Sequence, residues 1–238
     1  FNAAQDGRDN DGNITQTVAG VKQLTSIEGK FKGVRQGTGV GDNRYSTHSR
    51  TTITTSSKII VMAAAEVWFL RAEAALRGFT SEDVESCYKQ GVTTSFAQWD
   101  ASGVSEYLES ENTPADYVDT FDKNFDAKAT TSITPKWDNT ADNETKLERI
   151  ITQKWLAIYP EGCEAWAEQR RTGYPKLFKV VVNNSSNAIS TDDMIRRVFF
   201  NQDYITNNKP LYDALVSKLG GLDTGGTRLW WDTGKNNF

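Results

Sequence analysis

Between Lys146 and Leu177 the chain runs KLERIITQKWLAIYPEGCEAWAEQRRTGYPKL, and this stretch limits what can be built around it. Leu147, Ile150, Ile151, Trp155 and Ile158 recur at helical spacing and form one stripe. Proline lacks an N–H and its ring collides with the preceding turn, so a helix cannot run through it. Pro160 therefore ends the first helix, and Glu161 starts a second that runs to about Arg171 before Gly173. Tryptophan and arginine share faces of both helices that would ordinarily be either apolar or polar. Such faces are either a site or a scaffold in which arginines satisfy buried acceptors.

The same periodicity extends along the chain. Met62 to Arg77 (MAAAEVWFLRAEAALR) reads as a helix whose stripe is Ala63, Val67, Leu70 and Ala74, stopped by Gly78. Thr80 is expected to cap the next helix, with Glu82, Asp83 and Glu85 favourably placed against its dipole. Val84, Cys87, Tyr88, Val92 and Phe96 would form its buried face, so the two helices make an αα-hairpin. A short helical piece is expected at Ser105–Ser110, a turn after Pro114 near Ala115–Phe125, and a last helix at Pro210–Leu219. Asp126–Asn143 reads as loop containing Trp137, and the chain after Leu177 as mostly irregular. Residues 1–57 are polar and loop-like, with a short hairpin expected near Phe31–Val34 and Thr51–Thr55. The fold class is thus all-α with long irregular loops and little strand. The helix pairs suggest tetratricopeptide-like units, although no 34-residue self-similarity occurs in this window.

Composition narrows the function. A formal net charge of -4 disfavours nucleic acid, whose phosphates reward a clustered basic face. The longest apolar run, Ile59 to Ala65, falls far short of the ~20 residues of a spanning helix. Cys87 and Cys163 both sit in helical patterns and read as small buried hydrophobes. His48 is the only histidine, which leaves little for a histidine triad or a multi-histidine zinc site. Gly37-Thr38-Gly39-Val40-Gly41 lacks the GK[ST] of a phosphate loop. Asp6 to Gly12 resembles a calcium loop, but Gly7 and Val18 stand where ligating carboxylates belong, so calcium is a weak expectation and no cofactor is assigned. Many carboxylates could form a glycosidase pair, yet nothing in the sequence selects two of them.

Three blocks carry a family resemblance. The first is Glu66-Val67-Trp68-Phe69-Leu70-Arg71-Ala72-Glu73-Ala74-Ala75-Leu76-Arg77-Gly78. The second is Leu147 to Pro175, with Gln153-Lys154-Trp155, Ala165-Trp166 and Arg170-Arg171-Thr172-Gly173-Tyr174-Pro175. The third is Ile195-Arg196-Arg197 with Asn201 and Asn207, followed by Asp223 and the ending Arg228-Leu229-Trp230-Trp231-Asp232. Together they resemble the SusD/RagB-like nutrient-binding lipoproteins of Bacteroidetes over about residues 58–233, departing at Phe199–Gln202, where the family has Tyr-Pro.

The resemblance implies an all-α protein with tetratricopeptide-like helix pairs supporting a loop-rich C-terminal region. It implies lipid anchoring at the extracellular face of the outer membrane, a SusC-like TonB-dependent transporter as partner, and non-catalytic capture of glycans or peptides. On that reading the chain is the C-terminal portion of a single domain, residues 1–57 being loop-rich and 58–238 the helical part, and Phe1-Asn2-Ala3 is not a natural start. The motif residues Trp155, Trp166, Arg170, Arg171, Tyr174 and Trp230 are expected to pack rather than bind. A sugar ligand asks for exposed aromatic faces beside amides or carboxylates. The candidates are Trp137 with Asp138 and Asn139, Trp99 with Gln98 and Asp100, and Tyr45 with Asn43 and Arg44. A glycoside hydrolase on a helical scaffold and a purely structural lid on the transporter are the competing readings.

Overall fold

A computed structural model of the chain describes residues 15–18, 21–24, 33–37, 49, 54–57, 59–119 and 123–238. It divides into two compact units: Phe1–Ile59, Ala115–Ala129 and Phe178–Ile195 form the first, and Ile60–Pro114, Thr130–Leu177 and Arg196–Phe238 the second.

The first unit contains a short antiparallel hairpin, β1 (Thr15–Val18) and β2 (Val21–Leu24), in the register Thr15↔Leu24 to Val18↔Val21. This is not where a hairpin was expected. Gly33–Arg35 and Thr54–Thr55 are irregular, and 31, 32 and 51–53 lie outside the described residues. Loops here are held by side chains reaching backbone carbonyls, because coil leaves those acceptors unpaired. The Arg35 guanidinium donates to Lys179 O (2.8 and 3.0 Å), Phe125 O (2.9 Å) and Asp126 O (3.2 Å). A backbone bridge joins Tyr117 to Ala127, and the Tyr117 ring lies 6.0 Å from Phe178. The region after Pro114 forms this bridge and a 3₁₀ turn at Lys123–Phe125.

The second unit is helical: α1 (Ala64–Leu76), α2 (Val84–Gln98), α3 (Val104–Leu108), α4 (Asn143–Ala157), α5 (Gly162–Thr172), α6 (Gln202–Asn207) and α7 (Lys209–Leu219). The expected αα-hairpin is α1–α2. Gly78 adopts φ +74° after α1, where Phe79 N–H donates to Ala74 O (2.9 Å) and Gly78 N–H to Ala75 O (3.0 Å), the Schellman closure. The cap of α2 is Asp83 rather than Thr80; its carboxylate accepts from Ser86 N–H at 2.8 Å. Glu82, two residues past Thr80, instead pairs with Arg71 of α1 (Nε–Oε1 2.9 Å).

The stripe of α1 is turned from the expected one. Ala65, Phe69, Ala72 and Glu73 face the core, while Val67 and Leu70 remain 42% and 40% exposed. The helix is apolar on both sides, so periodicity alone is ambiguous. The Phe69 side has the larger ring to bury and finds Gly91 of α2 opposite it. A Cβ on Gly91 would stand 2.7 Å from Phe69 Cε1, so the glycine is what lets the helices close on that ring.

The core joins Ala65, Phe69 and Ala72 to Cys87, Tyr88 and Val92, to Leu147, Ile150, Ile151 and Ala157 of α4, and to Trp137. Trp155 and Trp166 are half-buried, and Cys163 is exposed, not a buried hydrophobe. It sits in the first turn of α5, whose opening turn projects outward. The chain after Leu177 is more regular than expected, since α6 precedes α7 with Asn201 and Asn208 as successive caps.

Charges pin α4 and α5 to α1. Lys154 is 1% exposed, and its ammonium reaches Glu168 (2.9 Å), Glu66 (3.3 Å) and Glu164 (3.3 Å). Burial works against that charge, but Glu168, Glu66 and Glu164 outweigh it and hold the lysine pKa above its ordinary value. Arg171 grips Glu73 with two bonds of 2.7 Å, and Arg77 adds a third at 2.8 Å. Burial opposes ionisation of Glu73 as well, yet Arg171 and Arg77 keep its pKa below the usual carboxylate value.

Candidate functional site

Trp137 is buried, 7% exposed, with its ring 5.0 Å from Tyr88 and 5.9 Å from the Arg149 guanidinium. Its indole N–H donates to Asn139 Oδ1 (2.9 Å), and Asn139 Nδ2 donates to Glu85 Oε2 (2.7 Å). Asp138 accepts from the backbone N–H (2.8 Å) and hydroxyl (2.6 Å) of Thr140, which holds its pKa below the usual carboxylate range. In this conformation the ring presents no open face to a ligand, and its polar companions are engaged in closing the loop over α2.

Trp99 caps the far end of α2. It is 42% exposed, and its ring lies 6.1 Å from Tyr159. Gln98 beside it donates to Ala157 O (3.4 Å), and Asp100 occupies the left-handed region at φ +51°. Trp137 leans on Tyr88 and Trp99 follows Gln98, so 11 residues of helix separate the two points. At 1.5 Å per residue the two lie about 16 Å apart along the helix axis. They do not form one platform. Tyr45, Asn43 and Arg44 lie outside the described residues, as does the acidic turn at Asp6–Gly12.

The most open aromatic surface of the second unit lies elsewhere, in the third sequence block. Arg196 and Arg197 are buried, and both backbone N–H groups donate to Gly225 O (2.7 and 3.2 Å). Their side chains fix the returning chain: Arg196 Nε meets Asp232 Oδ2 at 2.7 Å, and Arg197 Nη1 meets Asp223 Oδ1 at 2.5 Å. Asp232 also accepts from Arg228 (2.7 Å). Arg196 together with Arg228 holds its pKa down against burial. Arg170 lies 3.8 Å from the Trp166 ring and 5.4 Å from the Trp231 ring, and its Nη1 donates to Arg196 O (2.9 Å).

These bonds fold Leu229 to Asp232 into a turn, closed by Asp232 N–H donating to Leu229 O at 2.9 Å. Trp230 and Trp231 occupy its two corners. Trp231 reaches Arg170, and Trp230 is left 91% exposed, contrary to the expectation that it packs. Two adjacent rings at a corner cannot share one direction once the flanking residues are pinned. The Trp-Trp doublet between Arg228 and Asp232 was the available signal. Trp230 borders a cleft of about 290 Å³ whose other walls are the half-buried Phe200, Leu215, Leu219 and Leu229, with Lys218 and Arg228. An exposed indole beside an apolar cleft with a few polar groups is the arrangement that sugar C–H faces and hydroxyls require.

Residues 10–232 match the family model described as SusD-like, the Susd and RagB outer membrane lipoproteins. A SusD homologue from Bacteroides vulgatus is 51% identical, with a TM-score of 0.78 over 88% of this chain and 44% of that one. A chitin-binding SusD homologue from Flavobacterium johnsoniae is 46% identical, with a TM-score of 0.71 over 76% of this chain and 38% of that one. A SusD homologue from Bacteroides thetaiotaomicron is 32% identical, with a TM-score of 0.80 over 96% of this chain and 58% of that one. No curated protein matches at a significant level. The chain therefore spans between 38% and 58% of the length of these structures. With a family model covering residues 10–232 and a relative 51% identical over 88% of its length, the chain belongs to the SusD/RagB family of outer-membrane lipoproteins.

Proposed function

We propose that this chain is part of a non-catalytic glycan-binding protein that holds oligosaccharides at the extracellular face of the outer membrane and passes them to a SusC-like TonB-dependent transporter. The observation that carries this reading is the Trp230 ring, 91% exposed on the rim of an apolar cleft of about 290 Å³. Large aromatic side chains are seldom left this open, because each forgoes a substantial apolar burial. The family description as outer-membrane lipoproteins supports the location, and the chitin-binding relative supports sugar as the ligand class. The lipid anchor and the transporter contact belong to this proposal as well. Trp99 with Tyr159 offers a second, smaller ring surface for a longer ligand.

Calorimetry against chito-oligosaccharides and a panel of plant and host glycans tests the reading, with Trp230→Ala as the site variant. We expect at least one glycan to bind and the variant to weaken it about tenfold, equivalent to about 1.4 kcal/mol. A complete failure to bind any glycan would overturn it. Release of reducing sugar from any member of the panel would replace it with the hydrolase reading.

A further inference from the structure

The charged side chains that line the cleft at Trp230 are of one sign. Both are cations, Lys218 and Arg228, and no acidic side chain lines the cleft among the described residues. Arg228 is held in place by Asp232 Oδ1 at 2.7 Å, so its guanidinium is fixed at the cleft rather than swinging in solvent. Lys218 is exposed in the last turn of α7 and makes no hydrogen bond or ion pair among the described residues. A helix C-terminus favours a cation, which accounts for a lysine in that turn. It does not account for a lysine, an anchored arginine and an open indole meeting on one cleft whose remaining walls are apolar. The volume lies at the lower end of ligand pockets, about 300–1,000 Å³, and suits one sugar ring better than a run of several.

We propose that this cleft is a subsite for an acidic sugar, a uronate residue whose ring lies on Trp230 and whose carboxylate is met by Lys218 beside Arg228. The inference rests on the glycan-binding reading and narrows it to ligand charge. A charge-assisted contact discriminates between a sugar and its uncharged twin far better than an apolar wall can, because only the acid completes the cation's pairing.

Calorimetry on the full 238-residue chain tests it with four probes: trigalacturonate, its methyl ester, a sulfated chondroitin disaccharide and a neutral chito-oligosaccharide. Trigalacturonate should bind about tenfold more tightly than the ester, and added salt should erode that margin. Lys218→Met keeps the apolar stem at an exposed position and should remove most of the preference for the acid over the ester. Trp230→Ala should weaken both. Equal binding of acid and ester, a preference that survives Lys218→Met, or tighter binding of the sulfated disaccharide would each overturn the uronate assignment. If the neutral oligosaccharide binds through Trp230 without any acid preference, the proposal fails and the glycan reading stands. If none of the four binds, the proposal fails, and the wider panel decides the glycan reading.

Discussion

Replacing Gly91 with alanine tests whether the α1–α2 contact is as tight as the geometry says. In an open helix interior the change would stabilise by roughly 0.5–1 kcal/mol, because glycine loses more backbone freedom on folding. Here the added Cβ would stand 2.7, 2.8 and 3.0 Å from Cε1, Cζ and Cδ1 of Phe69. That ring is buried and meets Tyr88 edge-on at 6.3 Å, so it cannot swing aside into solvent. Either the ring leaves its rotamer or the helices part, and overpacking of this kind costs roughly 1–3 kcal/mol. Subtracting the propensity gain leaves a net loss of about 0–2.5 kcal/mol. A central value near 1 kcal/mol lowers Tm by about 2–4 °C for a chain of this size. Urea unfolding followed by circular dichroism reads this directly. Phe69→Leu removes the very ring atoms that the new methyl would strike, so the double variant should recover at least about 0.5 kcal/mol relative to additivity. A Gly91→Ala protein more stable than the parent, or strict additivity with Phe69→Leu, would refute the packing argument.

Other outcomes follow from the buried charges and rings. Lys154→Met removes the cation that Glu66, Glu164 and Glu168 share, with Arg171 remaining as a partner of Glu168 only, and should cost about 3 kcal/mol in denaturant unfolding. Glu73 has a folded pKa below its ordinary 4.5, so its contribution is present above that value and is lost as pH falls through the lowered folded value; Glu73→Gln should flatten the acid limb of a stability–pH profile. The raised pKa of Lys154 acts at the other end, its contribution holding below the ordinary 10.5 and disappearing as pH rises through the higher folded value. Trp137→Ala should cost about 3–5 kcal/mol by calorimetry. Trp230→Ala should stay within about 0.5 kcal/mol of the parent, since an exposed ring supports little of the fold.

How far the sequence could be read differs from one segment to the next. The α4–Pro160–α5 unit was legible because Pro160 fixes the break and most apolar residues of α4 fall on one stripe, Leu156 alone being left 47% exposed. Leu147, Ile150, Ile151 and Ile158 are all buried as the spacing requires. The α1 helix has apolar residues on both sides, and its true face was settled by Phe69 meeting Gly91, a residue 22 positions away. Trp137 was misleading for a related reason: a tryptophan in a loop carries no periodicity, and whether it faces solvent depends on what the loop crosses. It crosses Tyr88 and the Arg149 guanidinium, and Asn139 turns inward to satisfy its N–H.

Local rules thus determined the helical class, the helix stops at Gly78, Pro160 and Gly173, and the membership signalled by the motif blocks, because each depends on residues within a turn or two of one another. Tertiary structure alone decided which aromatic rings are core and which are open. Trp231 is drawn to Arg170, Trp137 sinks against Tyr88, and Trp230 is left at the rim of a cleft with Lys218 and Arg228. That outcome hangs on Arg196 and Arg197 reaching Asp232 and Asp223 across 36 and 26 residues, a separation over which spacing carries no information.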